Sequence, residues 1–183
     1  MDLINAVNKA KQGDNEAFGL IYDQFAQRIF SYVRQKVQDR QQAEDILQDV
    51  FVKAYRGLPT LSEEGLNFSA WLYKIASNTV NDHFRKSYRS PGLEPIENHQ
   101  DLASPVSVEK DLVLKDDNEK LKQALFLLPE NYREVLQLRY IEDLTLAETA
   151  KILNKSNLAV RLSQHRALKK LEVILKNFYD LDY

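Results

Sequence analysis

Apolar residues recur along most of this chain at intervals of three and four, the period that gathers them on one face of a helix. Ala43, Ile46, Leu47, Val50, Phe51 and Ala54 form such a face on a helix running to about Tyr55. Glu44, Asp45, Gln48, Asp49, Lys53 and Arg56 lie opposite. Upstream, Phe18, Ile21, Tyr22, Phe25, Ile29, Tyr32 and Val33 make a second stripe; downstream, Phe68, Trp71, Leu72, Ile75 and Val80 make a third. The pattern predicts three or four helices around a shared core. Between the last two stripes, Gly57 to Asn67 is punctuated by glycine and proline and reads as a loop.

The period resumes near the C-terminus. Leu121, Leu125 and Leu128 lead to Pro129, and Tyr132, Val135, Leu136 and Leu138 continue a further helix to about Tyr140. Thr145-Leu146-Ala147-Glu148 has the form of a capping box opening a short helix through Leu153. Asn154-Lys155-Ser156 makes a turn in which Asn154 accepts the left-handed conformation at modest cost, and a last helix runs from about Asn157 to Lys176. A short helix, a tight turn and a longer basic helix match the helix-turn-helix, whose second helix enters the major groove; an ordinary helical hairpin has the same pattern.

Helical periodicity weakens between the two regions, where residues 91–118 hold three of the five prolines and read as an acidic linker. Its later part, Val108 to Lys115, is a possible start for the helix through Leu121. The expected fold is therefore all-α, with two small helical domains, 1–90 and 119–183, joined by a flexible acidic linker. A length of 183 residues suits this division.

The net charge of −2 conceals an uneven distribution. The three parts carry +1, −5 and +2, and residues 155–176 alone carry +5, from Lys155, Arg161, Arg166, Lys169, Lys170 and Lys176 against Glu172. A basic stripe on a near-neutral domain suits phosphate contact as well as it suits a solvated face. In the third stripe, aromatic rings share a helix with Lys74, Arg85, Lys86 and Arg89. Single-stranded nucleic acid asks for that mixture, since unstacked bases seek π-faces and phosphates seek cations. Phe68 and Trp71 at helical spacing are more often core than nucleic-acid contacts.

Composition also excludes functions. With no cysteine there is no thiolate metal site, disulfide or cysteine nucleophile. His83, His99 and His165 show no ligand spacing, and the five glycines form neither a dinucleotide fingerprint nor a phosphate-binding loop. No metal, cofactor or catalytic residue is expected. The absence of a long apolar run or signal-like start predicts a cytoplasmic protein.

Together the motifs resemble a known family. Ala43 to Arg56 (AEDILQDVFVKAYR), Phe68 to Asn78 (FSAWLYKIASN), Leu128-Pro129-Glu130 and the terminal helix-turn-helix, in this order across an acidic linker, look like an extracytoplasmic-function sigma factor of bacterial RNA polymerase. The resemblance covers nearly the whole chain. It implies a transcription-initiation subunit with a sigma-two and a sigma-four domain, binding core RNA polymerase and promoter DNA and held by an anti-sigma factor. It assigns Asp45, Gln48, Asp49 and Lys53 to the polymerase surface. Leu61, Trp71, Lys74, Asn78, Arg85 and Lys86 fall to the proximal promoter element, read as melted strand with a flipped base. Lys155, Arg161, Ser163, Gln164, His165, Arg166 and Lys169 fall to the distal element, read as duplex. Ser163 and Gln164 depart from the family's frequent arginine and leucine. The competing readings are a helix-turn-helix regulator with a helical sensor or dimerisation domain, and a small helical hydrolase, for which the sequence shows no acid–base cluster.

Overall fold

The structure, a computed structural model, describes residues 2–37, 39–61, 67–89 and 117–180. Among them all regular secondary structure is helical: α1 (Leu3–Lys11), α2 (Asn15–Arg34), α3 (Arg40–Gly57), α4 (Phe68–Arg89), α5 (Asp117–Phe126), α6 (Glu130–Leu136), α7 (Leu146–Leu153) and α8 (Asn157–Asp180). A 3-10 turn, Leu58–Thr60, follows α3, and a π-helical turn, Gln137–Ile141, follows α6. The predicted linker lies outside the described residues apart from 117–118, which open α5, as does the suggested helix start at Val108 to Lys115.

The described residues fall into two compact units, one made by those of 2–89 with Ala147–Lys155, the other by those of 117–146 with 156–180. In the first unit, capping sets where helices begin. Asp14 accepts from the Ala17 N–H at 3.0 Å and Asp39 from the Gln42 N–H at 2.8 Å, and Asn67 Oδ1 accepts from the Ser69 N–H at 2.8 Å. Each such cap contributes about 0.5–2 kcal/mol. Gly13, at φ 92°, lets the chain reverse between α1 and α2. The apolar faces of α2, α3 and α4 then meet, burying Ile21, Phe25, Ile29, Tyr32, Ile46, Val50, Leu72 and Tyr73. Each large apolar side chain so buried is worth roughly 1.5–3 kcal/mol. Edge-on rings order this core, with Tyr32–Tyr73 centroids 5.3 Å apart and Phe25–Phe68 5.5 Å apart. Helix α1, not singled out in the sequence, adds Ala6, Val7 and Ala10.

In the second unit α5 and α6 pack on α8 around Leu128, Leu136 and Ala167, with Leu125, Tyr132, Leu171 and Ile174 against them. The Arg133 guanidinium ties the α5–α6 connection together, donating to the Phe126 and Leu128 carbonyls at 2.7 and 2.9 Å. Burial lowers its pKa from the ordinary arginine value, with Glu130 pulling the other way. At the far end Tyr179 donates to Asp117 at 2.8 Å, and the Lys120 ammonium sits 4.5 Å from the Tyr179 ring centre.

Candidate nucleic-acid interface

On α3 the spacing i, i+3, i+4 puts Asp45, Gln48 and Asp49 on one face, and all three are exposed. The same face continues into Val52 and Tyr55, 46% and 45% exposed, so it pairs acidic groups with an apolar edge. Sequence reasoning did not select these two. Their apolar character away from the buried stripe was the available signal. Tyr55 is held in place, its ring 5.0 Å from Phe18 and its hydroxyl donating to Asn15 at 2.8 Å. Lys53 turns toward α4 instead, donating to Thr79 Oγ1 at 3.1 Å and lying 3.8 Å from the Asp82 carboxylate.

On α4, Trp71, Asn78 and Arg85 follow one another at seven-residue spacing, which is nearly two full turns, with Lys74 one turn beyond Trp71 on that side. Trp71 is half-buried, 5.6 Å from Phe68 between ring centres. Its indole also crosses Gly57 so closely that a Cβ there would lie 3.3 Å from it. Trp71 is thus seated by packing while remaining partly open to solvent. Asn78 is exposed, as are Arg85 and Lys86; Arg85 lies 3.7 Å from Asp82. Leu61 caps the 3-10 turn, its N–H donating to Leu58 at 3.1 Å; residues 62–66 of the predicted loop lie outside the described residues.

The Lys74 ammonium, within the first unit, donates to the carbonyls of Lys151 at 2.5 Å and Ile152 at 3.3 Å and to Asn154 Oδ1 at 2.6 Å. A cation at the C-terminal end of α7 satisfies carbonyls that the helix itself leaves open. Burial lowers its pKa from the ordinary lysine value.

Helix α8 begins where Ser156 Oγ accepts from the Ala159 N–H at 3.2 Å, after Asn154 at φ 52°. Lys155, Arg161, His165, Arg166 and Lys169 are exposed, whereas Val160 and Ala167 are buried. Ser163 and Gln164 are half-buried. Gln164 faces the π-helical turn: its Nε2 donates to the Tyr140 hydroxyl at 2.8 Å, and its Oε1 accepts from Arg139 Nε at 3.3 Å. Arg139 Nη1 also donates to the Leu144 carbonyl. A shallow groove of about 440 Å³ is lined by Arg139, Leu146, Arg161, Gln164, His165 and Leu168. Among the described residues no cluster of acidic, histidine or cysteine side chains has the makings of a metal site, and no helix is long and apolar enough to cross a membrane.

Comparison with known proteins matches two separate regions of the chain. Residues 21–90 match Sigma-70 region 2 and residues 124–172 match Sigma-70 region 4. The ECF RNA polymerase sigma factor SigW of Bacillus subtilis is 30% identical over 179 residues, covering 93% of this chain and 95% of SigW. The corresponding factor BldN of Streptomyces coelicolor is 33% identical over 177 residues, covering 94% of this chain and 66% of BldN, just under two thirds of that longer protein. Among solved structures, CnrH in complex with the cytosolic domain of CnrY aligns with a TM-score of 0.61 at 24% identity, covering 96% of this chain and 97% of CnrH. The sigma factor RpoE, co-crystallised with the anti-sigma factor NepR from Bartonella quintana, aligns at 0.59 and 23% identity, covering 87% and 96%. Both support the fold.

Proposed function

This chain belongs to the extracytoplasmic-function sigma factors of RNA polymerase, and from that membership we propose that it binds core RNA polymerase and directs it to promoters with two recognition elements. Residues 1–90 form the sigma-two domain and residues 119–183 the sigma-four domain. The polymerase lies on the α3 face of Asp45, Gln48 and Asp49, extended by Val52 and Tyr55. The α4 face of Trp71, Asn78, Arg85 and Lys86, with Leu61, holds the melted proximal element. The exposed cations of α8 contact the distal element as duplex. The protein acts in the cytoplasm by binding, without a cofactor, and an anti-sigma protein holds it inactive. Membership replaces the alternative of a helix-turn-helix regulator with its own sensor domain.

The observation carrying this reading is the ordered match to both sigma regions, with the basic residues of α8 exposed on the second. Purified chain added to core polymerase should start transcription at promoters that core alone ignores. Charge reversal at Asp45 and Asp49 should abolish that transcription by abolishing core binding, with helicity unchanged by circular dichroism, because these side chains oppose the buried stripe. Retained core binding would remove α3 from the interface.

A further inference from the structure

Gln164 stands where the family often has leucine, and it was expected to touch DNA. Its surroundings give it other work. Both ends of its amide are engaged within the second unit, Nε2 donating to Tyr140 and Oε1 accepting from Arg139. Arg139 in turn holds the Leu144 carbonyl, while the Leu144 N–H donates to Leu138 at 3.0 Å and Asp143 takes φ 51°. The backbone around Leu144 is thereby closed onto the π-helical turn, with Leu138 and Leu144 fully buried beneath it.

Two geometrical facts give this network a consequence. On α8, Arg161, Gln164 and Leu168 lie at i, i+3 and i+7, one face of the helix, with His165 beside them lining the same groove. A hold on Gln164 is therefore a hold on the rotation of α8 about its axis. The π-helical turn, moreover, brings two successive residues, Arg139 and Tyr140, to the same amide, and such turns recur at functional positions in helices.

We propose that Gln164 is a positioning residue of the duplex-reading helix: clasped by Arg139 and Tyr140, it sets the rotation with which Arg161, His165 and Arg166 meet DNA, and it does not itself read a base. This rests on the assignment of α8 to the distal element.

The test uses the full chain with Gln164→Leu, Gln164→Glu, Tyr140→Phe and the double variant Gln164→Leu with Tyr140→Phe. Holoenzymes assembled on core polymerase select from a promoter library randomised in the distal element. In parallel, hydrogen exchange of α8 amides is followed in the free chain. Gln164→Leu and Tyr140→Phe should each lower the ratio of specific to non-specific binding about 2- to 10-fold, the span of one net hydrogen bond, with the loss spread over several base pairs. The double variant should lose no more than the worse single, since both cut one clasp. Gln164→Glu, which still accepts from Arg139 and from the Tyr140 hydroxyl, should restore most of the ratio. Exchange around residues 161–168 should rise for Gln164→Leu and Tyr140→Phe and return toward wild type for Gln164→Glu. A changed preference at a single base pair in Gln164→Leu, with Tyr140→Phe unaffected, would make Gln164 a base reader and overturn the proposal. Unchanged exchange in both variants would overturn it equally. A wild-type holoenzyme that enriches no sequence is a different failure, that of the promoter-reading assignment, and it leaves the exchange result to judge the clasp.

Discussion

At the scale of single residues, burial decides what a side chain is free to do. Gln164 and Lys74 have polar heads that sequence reasoning aimed at DNA, yet each is engaged by protein carbonyls, hydroxyls or guanidinium groups. Arg161, His165 and Arg166 are exposed on α8. Thr149 shows the reverse situation, since it is fully buried in α7 and its hydroxyl has no hydrogen-bond partner. A buried hydroxyl without a partner bears its desolvation cost uncompensated, whereas a methyl of the same shape bears none. Thr149→Val keeps the β-branched shape and the volume. It should therefore leave the unfolding midpoint of the full chain in denaturant unchanged or raise it, by up to about 1 kcal/mol in stability. A loss of more than that would mean the hydroxyl is bonded in solution and belongs to the packing of α7.

At the scale of the element, the charge on α8 is the feature with the most direct consequence. Replacing Arg161, Arg166 or Lys169 singly by alanine removes one exposed cation without touching the Val160 and Ala167 face that packs inward. Where the cation binds a phosphate, its removal should weaken binding to all sequences and lower the salt slope by about one unit; where it reads a base, removal should cost about 1–3 kcal/mol at one position. Binding titrations at several salt concentrations separate the two outcomes, and unchanged binding in all three variants would remove the helix from the interface. Elements of this kind were legible in the sequence because each announces itself twice, by apolar period and by its ends. Asn154 was expected in the left-handed conformation and has φ 52°, and α7 ends at Leu153 as its pattern indicates. Helix α1 was less visible because its nine residues bury only two alanines and a valine, a weak stripe. The break in α6 was invisible for a different reason. Apolar positions up to Leu138 fit one continuous helix, but the chain widens to a π-helical turn at Gln137, which is itself buried. That widening places Arg139 and Tyr140 at Gln164, a consequence that periodicity alone does not encode. The site followed the same rule. Exposed charges on amphipathic helices were found where the pattern put them, and pairings between elements distant in sequence, such as Lys53 to Thr79, were not.

For the whole molecule, the demand falls on residues 91–118, which join the two sigma regions and whose role follows from length and charge. As a flexible coil, the segment would span roughly 30 Å between its ends, and fully extended about 90–100 Å. Under the proposed function the two domains read separate promoter elements, and a single duplex turn between those elements already spans about 34 Å. A relaxed coil falls short of that span, so polymerase must hold the segment extended if both elements are read at once. Its acidic excess, from Glu94, Glu97, Asp101, Glu109 and Asp111 among others, suits a path along basic protein surface that single-stranded DNA would otherwise follow. The same charges, placed near the cations of α4 and α8 in the free chain, would compete with phosphate for them. Length and charge are then separable by mutation. Deleting about 12 residues between Pro91 and Val108 should abolish transcription from two-element promoters while both domains retain their helicity. Neutralising the five acidic residues at full length should instead strengthen DNA binding by the chain without polymerase, most at low salt, where screening is weakest. Full activity after the deletion would show that the span is bridged in another way. Unchanged DNA affinity after neutralisation would show that the acidic segment does not shield the basic faces, leaving its charge to act only within the polymerase.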